Sequence, residues 1–330
     1  MSKYRVFIIA MLMWPFLATS GHAEPALSPE AIVEGIVNVY AEVPAEARTA
    51  DTLGRQRRGT GIVIDGNGLV LTVGYIILEA SAVDVYSASG DRFPADVMAY
   101  DHESGFGLIR TREPLDADPI RFGRSADVGI GDPLLILSRV PDLRGAQVTL
   151  ADRREFAGYW EYLLDSALFT SPNYSTFAGA ALIDDELRLV GIGSLTVRNA
   201  AGADIQSPGN MFIPVDELLP IMGDLLSSGR RADVGRPWLG LYARDLGANI
   251  VIQSVAEDSP AARSGLQPGD QITSIASQPI DGLADFYRKL WSLGDPGVDV
   301  PLGVRRRGQP IRLDLLSADR YDWLRFQQSY

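Results

Sequence analysis

Gly59-Thr60-Gly61-Ile62-Val63-Ile64-Asp65 leads, after Gly66-Asn67-Gly68, into Leu69-Val70-Leu71-Thr72-Val73-Gly74-Tyr75-Ile76-Ile77. Two short apolar runs, 61–64 and 69–72, are separated by Asp and Gly, the punctuation of a turn between strands. The same rhythm continues outward through residues 82–86, 107–109 and 134–137. A second set follows at 161–169, 180–183, 187–192 and 211–213. Such closely spaced runs predict antiparallel barrels or sandwiches. Upstream, Ser28-Pro29-Glu30 gives a helix-start signal, and residues 36–40 suggest the first strand. Residues 42–58 are polar and read as a loop, with Arg55, Arg57 and Arg58 expected on a solvated rim. Residues 216–227 read as one amphipathic helix, with Leu218, Ile221, Met222 and Leu225 on one face.

The chain has 330 residues, enough for two to three domains. Lys3 and Arg5 precede an apolar stretch at 6–18, and Gly21-His22-Ala23 offers a cut before Glu24. This predicts a cleaved secretion signal over residues 1–23. The stretch is shorter than the roughly 20 residues that a spanning helix needs. There is no cysteine, which excludes disulfides, a thiol nucleophile and cysteine metal sites. Cysteine-free secretion fits a Gram-negative periplasm. Without the leader, 28 basic residues face 42 acidic ones, a net charge of −14. That argues against nucleic acid and anionic lipid as main partners.

Beyond Ser228-Gly229-Arg230-Arg231-Ala232-Asp233, read as a linker, the texture changes. Residues 250–255 read as a strand. Ser259-Pro260-Ala261-Ala262-Arg263-Ser264-Gly265 has a serine cap, proline at the first helical position and glycine at the exit. Leu283, Phe286, Leu290 and Trp291 mark a second helix, and residues 298–304 and 311–315 a closing hairpin.

These motifs resemble the HtrA (DegP/DegS-like) secreted proteases, which join a trypsin-like double barrel to PDZ domains. The resemblance spans about residues 31 to 317. Phe122-Gly123-Arg124-Ser125 is similar to the barrel-connecting segment, and Phe212-Ile213-Pro214 to the strand end before the closing helix. Arg236-Pro237-Trp238-Leu239-Gly240-Leu241 is similar to the PDZ start. Ser259-Pro260-Ala261-Ala262 with Gly265-Leu266-Gln267-Pro268-Gly269-Asp270-Gln271-Ile272 is the most specific match. The implied fold is mostly β: a trypsin-like double antiparallel β-barrel over 24–228, a linker at 229–235, an α+β PDZ domain over 236–317 and a tail at 318–330.

The resemblance puts Tyr75 where the family has its histidine base, Gly105 at its aspartate and Ala178, within Thr176-Phe177-Ala178-Gly179-Ala180, at its serine. Serine is a weak nucleophile until a base takes its proton, and losing one central triad member costs about 10⁶ in turnover. The only lysine and histidine left after the leader are Lys289 and His102, the latter read as a partly exposed loop residue. Ser171, Ser175 and Thr176 are the hydroxyls near position 178. The expectation is a catalytically inactive homologue, with residual HtrA-type endopeptidase activity as the alternative.

In a PDZ domain an extended peptide adds beside a sheet edge while loop N–H groups receive its terminal carboxylate. By resemblance Trp238, Leu239, Gly240 and Leu241 form that loop, and Phe286 and Leu290 line the side-chain pocket. The expected role is a peptide- or protein-binding scaffold, chaperone or regulator in envelope quality control. Its partners would be unfolded or C-terminal peptide clients, itself or an active homologue. Neither cofactor, metal, nucleic acid nor stable membrane insertion is expected. The aromatic tail at 321–330 is a candidate to mask the PDZ groove.

Overall fold

A computed structural model describes residues 28–233, 235–246 and 250–326. The expected leader and the last four residues of the expected tail lie outside them. Among the described residues no helix is long and apolar enough to cross a membrane.

The fold is mostly β and opens with helix α1 (Pro29–Glu34), where Ser28 Oγ accepts the Ala31 N–H at 3.2 Å. That bond satisfies one of the donors a helix start leaves over. The first barrel closes from β1 (Ile36–Glu42), β2 (Gln56–Val63), β3 (Leu69–Val73), β4 (Ala82–Tyr86), β5 (Arg92–Tyr100) and β6 (Phe106–Thr111), in the order β1-β2-β3-β6-β5-β4. Short helices α2 (Ala50–Leu53) and α3 (Gly74–Ile77) sit on its connections. All five residues of β3 are buried, because the strand faces the barrel interior on one side and meets the second barrel on the other. Fully burying a leucine or valine there contributes about 1.5–3 kcal/mol.

The second barrel closes from β7 (Pro133–Arg139), β8 (Leu143–Gly158), β9 (Tyr162–Ser171), β10 (Ala181–Ile183), β11 (Leu189–Val197) and β12 (Gly209–Pro214), in the order β10-β11-β12-β9-β8-β7. β8 and the start of β9 project as a hairpin whose tip, Tyr159 to Glu161, reaches the C-terminal domain. The expected helix over 216–227 is instead a 3₁₀ turn at Val215–Glu217 followed by α4 (Met222–Ser228). Pro220 lies between them and cannot continue the hydrogen-bond ladder.

The segment after α4 is pinned to the first barrel. Arg231 grips Asp101 through two nitrogens, at 3.0 and 2.9 Å, and Arg236 meets Glu103 at 2.8 Å. The C-terminal domain is a sheet of β13 (Leu241–Asp245), β14 (Ile250–Val255), β15 (Gln271–Ile275), β16 (Gln278–Pro279), β17 (Asp299–Arg306) and β18 (Gln309–Leu316), ordered β13-β14-β15-β17-β18 with β16 beside β15. Helices α5 (Pro260–Arg263) and α6 (Gly282–Trp291) complete it. Leu283, Phe286, Tyr287 and Leu290 give α6 its buried face.

Two expectations for single residues need correction. Arg57 is buried, and its guanidinium donates to the carbonyls of Tyr75, Leu78 and Thr49. Burial pushes its pKa down to about 10. A guanidinium under a loop carries five donors, enough to tie three backbone segments together. His102 is buried as well, edge-on to Tyr321 with ring centroids 4.7 Å apart. Burial and the nearby Arg320 push its pKa down to about 3. The described part of the tail, to Phe326, lies against the first barrel and against Trp238 and Glu257 of the C-terminal domain. Leu324 of the tail packs on Leu78 and Tyr100, and the Arg325 N–H donates to Glu79 Oε1 at 2.7 Å.

Candidate functional site

Two places gather the residues singled out by sequence. The first is the seam between the barrels. Gly74 donates to the Gly105 carbonyl at 2.7 Å, which sets Tyr75 and Gly105 on one wall. Thr60 donates to the Ala178 carbonyl at 2.9 Å, and Gly179 to the Gly193 carbonyl at 2.8 Å. The Tyr75 hydroxyl crosses the seam to donate to the Ser194 carbonyl at 3.0 Å. Tyr75 and Gly105 thus stand on the first-barrel side of the seam, and Ala178 is held against Thr60 at the same seam.

Their chemistry differs from a serine–imidazole–carboxylate set. Burial raises the Tyr75 phenol pKa above its ordinary value, and the hydroxyl already spends its proton on Ser194. Gly105 has φ 87°, and a Cβ added there would lie 3.2 Å from both the Tyr162 hydroxyl and Ile213 Cδ1. Tyr162, donating to the Ser104 carbonyl at 2.6 Å, therefore fills the space beside it. Ala178 carries no heteroatom. Nearby, Ser138 Oγ links to the Tyr174 hydroxyl at 2.7 Å and to Thr176 Oγ1 at 2.9 Å. His102 lies under Tyr321 instead.

The second place is the loop before β13. The Leu239 N–H donates to Glu161 Oε2 at 3.0 Å, and those of Gly240 and Leu241 donate to Glu161 Oε1 at 2.7 and 2.9 Å. Three consecutive amides thus converge on one carboxylate, a cradle of the kind that successive N–H groups form for anions. Gly240 has φ 78°, and a side chain there would collide with Ser259 Cβ at 2.2 Å. Glycine is what lets the loop curl. Trp238, Leu239, Leu241, Phe286 and Leu290 are all buried. Trp238 packs against Trp323 with ring centroids 4.9 Å apart and planes tilted by 42°, and its backbone bridges to Ala318. Phe286 and Leu290 belong to the domain core, which also takes in Leu163 from β9.

Sequence reasoning missed Glu161. It was read only as the first residue of a strand, and nothing local marks a carboxylate that docks 78 to 80 positions downstream.

The trypsin-like peptidase domain family matches residues 59–192, and the PDZ domain family matches residues 237–316. A probable periplasmic serine endoprotease, DegP-like, from Pseudomonas fulva is 25% identical over 303 residues, covering 84% of this chain and 60% of its own. This chain joins a trypsin-like peptidase domain to a PDZ domain, and its relatives are HtrA-type proteases. Another relative, the periplasmic pH-dependent serine endoprotease DegQ of Escherichia coli, is 24% identical over 279 residues, covering 78% of this chain and 58% of its own. The chain thus spans about 60% of the length of these curated relatives.

Among solved structures, the HtrA-type protease AlgW with decapeptide is 21% identical with a TM-score of 0.52, covering 90% of this chain and 98% of that one. The serine endoprotease from Yersinia pestis is 20% identical with a TM-score of 0.52, covering 88% and 95%. At this identity the likeness is one of fold.

The expectation of a catalytically inactive homologue is corrected by these matches. The HtrA relatives are named serine endoproteases, which points to protease activity.

Proposed function

We propose that this protein acts on polypeptide chains in the bacterial periplasm, capturing them by the C-terminal carboxylate through its PDZ domain. One observation carries the proposal: three successive backbone N–H groups, of Leu239, Gly240 and Leu241, converge on a carboxylate beside β13, the edge strand of the sheet. A peptide added to that edge gains main-chain hydrogen bonds, and its terminal carboxylate gains charge-assisted ones. In this account Trp238 buttresses the loop, and Leu239, Leu241, Phe286 and Leu290 bound the apolar side of the groove. The seam between the barrels, lined by Tyr75, Gly105 and Ala178, receives the body of the captured chain.

The names of the relatives favour endopeptidase chemistry for that seam. Here the attacking hydroxyl would come from a residue other than position 178, and Ser171, Ser175 and Thr176 are the nearest in sequence. The periplasmic setting rests on the relatives' names and on the leader-like residues 1–23.

Incubation of the protein with unfolded casein and a serine-directed fluorophosphonate probe tests this function. Cleavage with labelling of one hydroxyl assigns the endopeptidase. Casein retained whole on the protein assigns capture without cutting. Neither cleavage nor retention would contradict action on polypeptides.

A further inference from the structure

The tip of the β8–β9 hairpin meets the PDZ domain in the pattern of an added peptide strand. β13 is an edge strand, so its outer N–H and C=O groups are open to a partner. The Ala243 N–H donates to the Tyr159 carbonyl at 2.9 Å. Two residues further on, Glu161 delivers its carboxylate to the Leu239–Leu241 amides. The tip therefore runs toward the cradle, and its carboxylate arrives as a peptide's terminal one would. From the opposite side, the Tyr287 hydroxyl donates to the Gly158 carbonyl at 2.7 Å and accepts the Glu161 N–H at 3.1 Å. Glu161 has φ 57°, a left-handed conformation uncommon for a residue with a side chain. That turn sends the chain back along β9 while the carboxylate stays in the cradle. Arg288 of α6 pairs with Glu155 and Asp165 on the two hairpin strands.

We propose that the hairpin tip is a built-in ligand of the PDZ groove: Glu161 occupies the place of a peptide's terminal carboxylate, and C-terminal peptides bind only by displacing it. This rests on the peptide-capturing function proposed above. A side-chain carboxylate presents the same two oxygens as a chain terminus, so the amides accept either. The latch also joins groove and seam. Glu161 is followed by Tyr162, which fills the space beside Gly105, so release of one residue bears directly on the surroundings of the other.

The test uses intact protein and its Glu161→Ala variant. The probe is a fluorescent decapeptide of residues 151–160, Ala-Asp-Arg-Arg-Glu-Phe-Ala-Gly-Tyr-Trp, with a free C-terminal carboxylate. Anisotropy reads its affinity, and amide hydrogen exchange reads protection at Leu239, Gly240 and Leu241. The latch predicts at least about tenfold tighter binding by the variant, because the open groove is no longer a minor state. It also predicts amides that lose protection in the variant and regain it with peptide. Equal affinity in the two proteins overturns the latch and leaves peptide capture standing. Binding by neither, with the variant's amides exposed, overturns peptide capture and the latch with it. If Glu161→Ala does not fold, Glu161→Gln removes the charge at nearly constant volume, and the same comparisons decide.

Discussion

The carboxylate of Glu161 and the backbone N–H of Gly240 lie 2.7 Å apart, joining the second barrel to the PDZ domain across 79 positions of sequence. A buried carboxylate without donors is strongly disfavoured, whereas one that accepts three N–H groups is a fixed point of the fold. Most of what the chain is expected to do depends on what happens to this bond.

Peptide binding is expected to depend on pH. Burial raises the Glu161 carboxyl from its ordinary value to about 7, against the opposing pull of the three amides and of Arg320. The groups around it are Arg320, Tyr242 and Tyr287, with His102, Glu103 and Arg236 across a small cleft. The docked state holds the proton more tightly than the released one, so docking is favoured at low pH and weakens as pH rises through about 7. The same sign holds for folding, where this contribution is present below the ordinary carboxylate range and lost as pH rises through about 7. Affinity for the decapeptide should therefore increase from pH 6 to pH 8 in the native protein and stay flat in Glu161→Ala. Parallel pH profiles would assign the dependence to another group, Glu103 first among them.

Arg57 should prove a structural keystone. Arg57→Met leaves the carbonyls of Tyr75, Leu78 and Thr49 without their donor. The expected loss is about 2–6 kcal/mol, at about 1–3 kcal/mol for each of the two fully buried carbonyls, those of Leu78 and Thr49. Thermal denaturation checks it, and a melting temperature within a degree of the native protein's would contradict it.

Gly105→Asp should destabilise the first barrel. The backbone there is left-handed, and the new Cβ meets the Tyr162 hydroxyl and Ile213 Cδ1 at 3.2 Å. Strain of this kind costs about 1–3 kcal/mol. Denaturant unfolding reads the cost directly. An unchanged midpoint would mean that Tyr162 gives way freely.

Deletion of residues 321–330 should lower thermal stability and leave decapeptide affinity unchanged. The tail's Trp323 donates its indole N–H to the Glu257 carbonyl at 2.7 Å, and Leu324 seals Leu78 and Tyr100. Among the described residues it is the hairpin tip, through Tyr159 and Glu161, that meets the Leu239–Leu241 loop and β13. Tighter peptide binding by the truncated chain would reassign the occupant.

Much of this architecture was legible in the chain. Residues 82–86 and 250–255 read as strands with the bounds they have, since β-branched residues are concentrated there between clear turn signals. β5 was invisible, because Pro94 and Asp96 interrupt its pattern. β8 was invisible for a different reason. Arg153 and Arg154 donate to carbonyls of the second barrel's own loops and Glu155 pairs with Arg288 of the C-terminal domain, so all three fall where a barrel strand would carry an apolar face. Leu239, Gly240 and Leu241 could be picked out because Arg236 to Leu241 resembles the start of a PDZ domain. Their partner could not, because a carboxylate docked from another domain leaves no periodicity. Arg57 was placed in solvent on the same local grounds, and a buried arginine is recognised only once the loops around it are in place.

The most direct check of the central claim is the affinity of Glu161→Ala for the decapeptide of residues 151–160, measured with a free C-terminal carboxylate and again as the C-terminal amide. The amide cradle predicts that the acid binds at least about tenfold more tightly, since a hydrogen bond to a charged group contributes about 1.5–3 kcal/mol. Equal affinity for acid and amide would contradict carboxylate capture by Leu239, Gly240 and Leu241.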